Sequence, residues 1–551
     1  MPRTPLTDPL DTVPDAPAGA GAAGRSQVLV RIGLAGISVV LLGLAQAPGA
    51  QFYLAWVGFV PLLLATSRLR PAPAFGLWWM SAAGYFALNM YWIWHATLVG
   101  SAAMMAYLAV FWGAAGTVVA VVGRSKWGLV VCFPAAFTVL EWLRGWLFTG
   151  MPWGMPAHSQ SLAAPVLCQV ADLGGEHAVN FWLATINATG CVAWAHRAWL
   201  RAAVGVFVFA GALTAGVVGY GVFRLKQTAG ETTPGPTVMV VQSAFQHARG
   251  GAKTVTFEEL IPLHFDITER ALSTEARPVH LVAWSETVLP AMNPEAVRRS
   301  TNAAMSTQLH ERLVEFTTRH GTSLVFGAYA LLNFPKNPRD ADVRNATYLY
   351  RPGEGLVGRY DKVHLVPFGE IVPFRHSIPW LHELFFKFAA YSVEYVITPG
   401  DDRAQRPFEL PAATGQPAMR FVTPICFEDV DGRLIARLLT GGGERADFLL
   451  NITNDGWFSS GQHRQHLAMA AFRSIENRVW TARACNMGVS GFIDSAGRVV
   501  GVIPSGEVGT RVETIGVDRR RTVYARVGDA FAGAGAVLAL VGLAWRLWRR
   551  V

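Results

Sequence analysis

Long apolar stretches with few charges fill the N-terminal part of the chain and return at its C-terminal end. A transmembrane helix needs about 20 apolar residues. The pattern therefore predicts seven spans before residue 222 and an eighth after residue 528, the first two being short. They lie at 33–48, 51–66, 73–95, 102–123, 127–147, 177–196, 202–222 and 528–547.

Residues 229–525 have a different pattern, in which short apolar runs alternate with amphipathic stretches. One amphipathic stretch, at 253–275, has Leu260, Leu263 and Ile267 at helical spacing. Strands that alternate with helices and hairpins indicate a layered α/β domain. Predicted strands include TVMVVQ (237–242), HLVAWSE (280–286), SLVFGAYA (323–330), FVTPI (421–425) and DFLLNIT (447–453).

Basic residues in the short loops predict an orientation. They cluster in every second loop, as Arg68 with Arg70, Arg124 with Lys126, and Arg197 with Arg201. Positive loops face the cytoplasm, so seven spans would place 229–525 outside it. We therefore predict four parts: a disordered cytoplasmic tail at 1–26, a seven-helix bundle at 27–222, a catalytic domain at 229–525 and a last transmembrane helix at 528–547.

Composition supports a membrane protein and argues against nucleic-acid binding. Charged residues make up 15% of the chain, against roughly 25% in soluble proteins. The net charge of +9 comes largely from the membrane loops and the basic C-terminal tail, and no nucleic-acid-binding motif accompanies it. Five scattered cysteines do not form a disulfide pattern.

Three polar residues at the ends of strand-like runs carry the candidate chemistry. Cys426 ends the run in FVTPICFED, Glu286 ends HLVAWSE, and Lys362 lies in YDKVHLVPFGE. A nucleophilic thiol needs a base to take its proton, and the oxyanion that follows attack needs a cation or N–H donors. A carboxylate and an ammonium beside the thiol would supply both.

The segments WSE, GRYDKVHLVPFGE, ICFED and NITNDGWF together resemble the nitrilase (carbon–nitrogen hydrolase) superfamily. With eight spans and EWLRGWLFTGMPW at 141–153, the whole chain resembles the apolipoprotein N-acyltransferase family. The resemblance implies an α+β membrane protein: eight transmembrane helices carrying an extracytoplasmic α-β-β-α sandwich in a bacterial inner membrane. It further implies acyl transfer from a phospholipid, through a cysteine thioester, to the N-terminal amine of a diacylglyceryl-cysteine lipoprotein. It implies no cofactor and no metal, and we expect a monomer.

The resemblance also assigns roles to individual residues. Cys426 would be the nucleophile and Glu286 the general base, while Lys362 and the backbone N–H of Phe427 would stabilise the oxyanion. Glu370, eight residues after the lysine, and Glu428, two after the thiol, would have supporting roles. Phe427 stands where the family commonly has tyrosine, which removes a hydroxyl and keeps the N–H.

Several other side chains are open to more than one interpretation. Trp153, Trp380, Phe385 and Trp457 would line an acyl groove, or they belong to the membrane interface or the core. Residues 372–397 form an apolar arm that dips into the outer leaflet, or a helix that caps the domain. For His463 and His466 we favour packing or capping over metal binding. Glu141 and Arg144 form a local ion pair, or they bind a lipid headgroup.

Two further functions compete with acyl transfer. A membrane-tethered amidase would use the same triad with water as the acceptor. A transporter or receptor would carry an inactive nitrilase-like domain, but the intact triad argues against decay. Seven spans are more than a tether needs, and the apolar arm suits a lipid substrate.

Overall fold

The computed structural model describes residues 22–95, 97–197, 200–245, 255–299, 303–334, 342–372, 374, 377–387, 397–412, 417–441, 443–458 and 460–548. The chain forms a helical bundle, continues into an α/β domain with two sheets, and ends in a helix that packs back onto the bundle.

The bundle is built from apolar helices whose small residues let neighbouring helices approach closely. A Cβ on Gly113 would meet the ring of Phe75, and one on Gly116 would meet Trp78. The helices are α1 Ala22–Ala45, α2 Val60–Thr66, α3 Pro71–Asn89, α4 Leu98–Val122, α5 Phe133–Arg144, α6 His158–Ser161, α7 Pro165–Cys168, α8 Ala171–Gly174, α9 Glu176–Ala195 and α10 Val204–Glu231.

Among the described residues, three helical segments are long and apolar enough to cross a membrane: Arg25–Ala45, Leu98–Val122 and Val204–Glu231. Two shorter apolar helices are Phe52–Thr66 and Ala530–Arg546. Helices lie at all eight predicted positions, but the count of eight crossings stays a prediction. Helix α1 begins at Ala22, so residues 22–26 of the predicted tail are helical; residues 1–21 lie outside the described residues.

The α/β domain contains two six-stranded sheets, with strand orders β12-β1-β2-β3-β4-β5 and β11-β10-β9-β8-β7-β6. The first six strands along the chain are β1 Thr233–Gln242, β2 Leu281–Ala283, β3 Ser323–Leu331, β4 Val343–Arg351, β5 Gly355–Asp361 and β6 Phe408–Leu410. The next six strands are β7 Met419–Val422, β8 Phe448–Thr453, β9 Trp480–Cys485, β10 Ser490–Ile493, β11 Val499–Ile503 and β12 Gly509–Val517.

The two sheets pack face to face over one apolar core, to which Val240 of β1 and Leu449 of β8 both contribute. The opposite face of the first sheet carries helices α11 (Phe257–Thr274) and α13 (Ala303–His320), whose Phe265 and Phe316 pack together with ring centroids 5.3 Å apart. Alternate residues of each strand therefore face different layers. The remaining helices are α11 Phe257–Thr274, α12 Pro294–Arg299, α13 Ala303–His320, α14 Pro379–Phe386, α15 Gly432–Thr440, α16 Ser460–Asn477, α17 Tyr524–Val527 and α18 Ala530–Trp548.

Parallel strand pairs bring the candidate residues to one edge. β2 runs parallel to β3, and β7, β8 and β9 run parallel to one another. The carboxyl ends of parallel strands meet at the same edge of a sheet, where sites commonly form. Glu286 follows β2, Cys426 follows β7 and Asn454 follows β8.

Candidate active site

Cys426 opens a short helical turn, Cys426–Val430, that follows strand β7. Its φ of 51° lies in the left-handed region, where a non-glycine residue is strained. Glu428 secures the turn by accepting the Ile425 N–H at 2.7 Å, and the Asn451 side chain donates to the Cys426 carbonyl at 3.4 Å. The surrounding contacts thus hold the thiol in an otherwise unfavourable conformation.

Glu286, Lys362 and Glu370 form a buried charge cluster. The Lys362 ammonium lies 3.5 Å from Glu286 and 2.9 Å from Glu370. The Asn345 amide donates to both carboxylates, at 2.6 Å to Glu286 and 3.0 Å to Glu370. The Asn454 backbone N–H donates to the other oxygen of Glu286 at 2.8 Å. One ammonium and one amide therefore hold two like-charged groups side by side.

Burial and neighbouring charges shift the pKa values of both the Cys426 thiol and the Lys362 ammonium. Burial and the charge of Glu286 raise the pKa of the Cys426 thiol well above its usual value, although Lys362 opposes them. Burial alone would lower the pKa of Lys362, but the charges of Glu370 and Glu286 outweigh it and raise that pKa overall. The resting site therefore holds a neutral thiol and a fixed positive charge, so that attack by sulfur needs a base.

Glu428 connects the lysine segment to the cysteine turn. Its fully buried carboxyl accepts the backbone N–H groups of Val363 at 2.6 Å, His364 at 3.0 Å and Ile425 at 2.7 Å. The Tyr360 hydroxyl donates to both of its oxygens at 2.9 Å. Burial raises the pKa of Glu428 to about 7, against the opposing effect of these backbone donors. The carboxyl thus positions Lys362 and Cys426 relative to each other.

Cys426 borders an apolar cavity of about 110 Å³ that both parts of the molecule build. Gln465 of α16 ties its two walls together, because its amide oxygen accepts the indole N–H of Trp92 at 3.0 Å and of Trp153 at 2.6 Å. The bundle contributes Trp92, Ile93, Met104, Tyr107, Phe148, Gly150, Met151 and Trp153, and the α/β domain contributes Val366, Pro367, Phe368, Cys426, Phe427, Phe458, Gln462 and His466.

The four predicted groove residues occupy different places. Trp153 lines the cavity. Phe385 packs against Phe368 of the cavity wall, with ring centroids 5.6 Å apart, whereas Trp380 on the same helix α14 is 69% exposed. Trp457 is half-buried and is not one of the described residues that line the cavity. The predicted arm is described only in part: its residues 388–396, Phe388 among them, lie outside the described residues.

The histidine pair on α16 belongs to a buried hydrogen-bond network. His466 lies 2.7 Å from Asp429 and 3.0 Å from Asp455, and Arg483 binds Asp429 at 2.5 Å. His463 contacts the Asp455 carbonyl at 2.9 Å. Burial would raise the pKa of Asp455, but His466 and Arg483 hold it well below its usual range. Both histidines are therefore held within the fold by contacts to buried polar groups.

Glu141 and Arg144 form a fully buried ion pair at 2.6 Å, as one of the two interpretations predicted. The same guanidinium donates to the carbonyls of Met151 at 2.6 Å and Trp153 at 2.8 Å. Trp112 donates its indole N–H to Glu141 at 2.9 Å. The pair therefore holds the loop that forms one wall of the cavity.

Sequence reasoning missed the role of Asn345, since a single asparagine within a strand has no spacing that marks it. In the described part of the chain, no group of three or more His, Cys, Asp and Glu side chains is arranged to hold a metal ion.

Family models and curated relatives match most of the chain. The model of the apolipoprotein N-acyltransferase N-terminal domain matches residues 38–189, and the carbon–nitrogen hydrolase model matches 238–524. A curated apolipoprotein N-acyltransferase of Geobacter metallireducens is 28% identical, over 92% of this chain and 94% of its own length. An apolipoprotein N-acyltransferase of Rhodopseudomonas palustris is 30% identical, over 86% of this chain and 85% of its own length.

Among solved structures, an amidase from Nesterenkonia in the nitrilase superfamily aligns with 55% of this chain and 97% of its own, at 16% identity and a TM-score of 0.37. The two matching family models together cover residues 38–189 of the helical bundle and nearly all of the two-sheet domain. Relatives that match over most of both lengths bear the same family name. The chain therefore belongs to the apolipoprotein N-acyltransferase family, and its α/β domain is a carbon–nitrogen hydrolase domain.

Proposed function

We propose that this protein is an N-acyltransferase that moves a fatty acyl chain from a membrane phospholipid to the N-terminal amine of a diacylglyceryl-cysteine lipoprotein. One observation carries the proposal: Cys426 lies where a buried charge cluster meets an apolar cavity that the bundle and the α/β domain build together. Family membership supports the same reaction.

In the first step, Glu286 takes the thiol proton as the Cys426 sulfur attacks the ester carbonyl of the phospholipid. The resulting oxyanion is stabilised by the Lys362 ammonium and the backbone N–H of Phe427, which lies in the first turn of a helix and has no carbonyl partner within it. The ester C–O bond breaks, Glu286 returns the proton to the departing lysophospholipid, and the acyl chain stays on sulfur as a thioester.

In the second step, the lipoprotein amine attacks the thioester carbonyl. Glu286 takes a proton from the amine, the C–S bond breaks, and the new amide leaves while Cys426 regains its proton. The two substrates use one site in turn, which is a ping-pong mechanism. Glu370 keeps Lys362 positively charged throughout, since it lies 2.9 Å from the ammonium.

We further propose that the protein crosses the bacterial inner membrane eight times with its α/β domain on the periplasmic side. The loops that contain Arg68 and Arg124 lie at the ends of the helices away from the cavity. Along α4, about 20 residues separate Met104 in the cavity wall from Arg124, which is about 30 Å of helix. Basic loops favour the cytoplasmic side, which leaves Cys426 at the opposite face.

The test incubates detergent-solubilised protein with a phospholipid labelled in its acyl chain and locates the label by mass spectrometry. We expect a thioester on Cys426 and transfer of the label to a diacylated lipopeptide. Cys426→Ala abolishes the adduct, whereas Cys485→Ala, which removes a buried cysteine of the same domain, retains it. An adduct that persists in Cys426→Ala contradicts the proposal.

The same experiment separates the competing functions. Hydrolysis of small amides without a lipid adduct would identify a tethered amidase. Neither adduct nor hydrolysis would indicate an inactive sensor domain. The cavity argues for the lipid, because its lining beside the thiol is mostly aromatic and aliphatic.

A further inference from the structure

A second cavity lies at the end of the bundle away from Cys426. It measures about 80 Å³ and lies between the C-terminal ends of α2, α4 and α9. A single buried water needs a space of about 10–15 Å³. The cavity therefore has room for a group the size of phosphate. The catalytic mechanism does not use it.

The rim of this cavity is basic. Arg68, Arg124 and Lys126 line it. Arg31 of α1 adds a further positive charge. Its guanidinium donates to the carbonyl of Ala65 and, at 3.0 Å, to the carbonyl of Ser67, which lines the cavity. Cations gathered in this way repel one another unless an anion lies between them.

The residues that line the cavity in the described chain include no Asp or Glu. The sequence has no Asp or Glu from residue 16 to 140 or from 177 to 230, and these ranges contain every residue that lines the cavity in the described chain.

A buried histidine provides an independent sign of a ligand. His196 lines the cavity and is 6% exposed. Among the described residues, its Nε2 has no hydrogen-bond partner. A buried polar atom left without a partner is costly, and an acceptor or donor within the cavity would satisfy it.

The deeper walls of the cavity are apolar. Leu63, Val119, Leu129 and Val192 lie there, about a helical turn further from the helix ends than the basic rim. A charged rim above an apolar wall suits a lipid, whose phosphate would meet the arginines while its chain follows the wall. Free phosphate would use only the rim.

We propose that this cavity binds the phosphate headgroup of an anionic phospholipid, in the leaflet opposite the one that supplies the acyl donor. Arginine pairs with phosphate through two parallel N–H bonds, and basic pockets between transmembrane helices bind anionic headgroups. The site is separate from the cysteine cavity, since their nearest lining residues on α4, Tyr107 and Val119, are about 18 Å apart along the helix.

The experiment measures the first lipid that binds to delipidated full-length protein in detergent, by native mass spectrometry. Phosphatidylglycerol is titrated against phosphatidylcholine with the same chains. We expect phosphatidylglycerol to bind at least about tenfold more tightly. Replacing both rim arginines, Arg68→Gln with Arg124→Gln, weakens binding about thirty-fold, because each charge lost near the surface weakens it about fivefold.

Arg70→Gln is the matched control, because Arg70 is an exposed arginine beside the same helix end and does not line the cavity. It should leave binding unchanged. If the double variant fails to fold, as size-exclusion chromatography would show, Arg124→Gln alone should weaken binding about fivefold. Equal affinity for the two lipids, or wild-type affinity in the folded arginine variants, overturns the proposal. Inorganic phosphate that displaces the lipid at equal concentration would overturn the lipid assignment.

Discussion

Replacing Asn345 by alanine tests how the charge cluster is held. The amide donates to Glu286 at 2.6 Å and to Glu370 at 3.0 Å. Each of these two hydrogen bonds to a charged group contributes about 1.5–3 kcal/mol, and both are lost in the variant. The variant also removes the Asn345 Oδ1, which is one of the described buried atoms without a hydrogen bond, and this recovers about 1–3 kcal/mol. The net loss is about 2 kcal/mol. If that loss falls on the transition state, it corresponds to about a thirty-fold slower reaction.

The assay follows thioester formation on Cys426 in a single turnover with labelled phospholipid. We expect the rate to fall about thirty-fold while phospholipid affinity stays unchanged, because Asn345 positions Glu286 and does not line the cavity.

Asn293→Ala is the matched control. Asn293 is also buried, and it exchanges two hydrogen bonds with the Leu331 backbone, at 2.7 and 2.9 Å, away from the cluster. It should lower stability to a similar extent and leave the acylation rate unchanged. If Asn345→Ala acylates as fast as Asn293→Ala, Asn345 does not position the base and the reasoning fails.

Two further predictions concern charge. Arg144→Gln leaves Glu141 buried without its partner, so thermal unfolding should show that the free energy of unfolding falls by about 3–5 kcal/mol. The control Asp266→Asn breaks an exposed ion pair and should lower it by about 0–1 kcal/mol. Equal losses in the two variants would contradict the structural role of the Glu141–Arg144 pair. Because the pKa of Lys362 is raised, its stabilisation is fully present below about pH 10.4 and is lost as pH rises through the folded value. In chemical denaturation, the stability difference between wild type and Lys362→Met should not shrink between about pH 7 and 10 and should shrink at higher pH. A difference that already shrinks near pH 8 would refute this prediction.

Apolar runs made several strands predictable. The run at 237–242 lies within β1 and that at 323–330 lies within β3. β1 begins earlier, at Thr233, because a register shift between Pro234 and Thr237 lets the proline-rich start pair with β12. Proline at a bulge is compatible with pairing, but in the sequence it looks like a linker.

Other strands could not be predicted from apolar runs because they contain charged residues. β9 contains the buried Arg483, which pairs with Asp429 and Asp455, carboxylates from two other segments. β12 carries Arg511 and Glu513 on a sheet edge that is partly exposed. Neither reads as an apolar run, because the compensating partner or the solvent lies outside the local pattern.

The proximity of Glu286, Lys362 and Cys426 could be predicted because the three residues lie at the ends of apolar runs within family motifs, and the structure brings Glu286 and Lys362 together near Cys426. Asn345 could not be predicted. Its place beside Glu286 depends on the pairing of β4 with β5, where the Lys362 N–H donates to the Asn345 carbonyl at 2.8 Å. Register between distant strands is not readable from one strand alone.

The most direct test isolates the acylated protein, removes the phospholipid donor, and then adds a diacylated lipopeptide with a free N-terminal amine. The acyl mass should leave Cys426 and the same mass should join the lipopeptide through an amide, one for one. An acyl group that stays on the protein, or that leaves only as free fatty acid, would contradict the account.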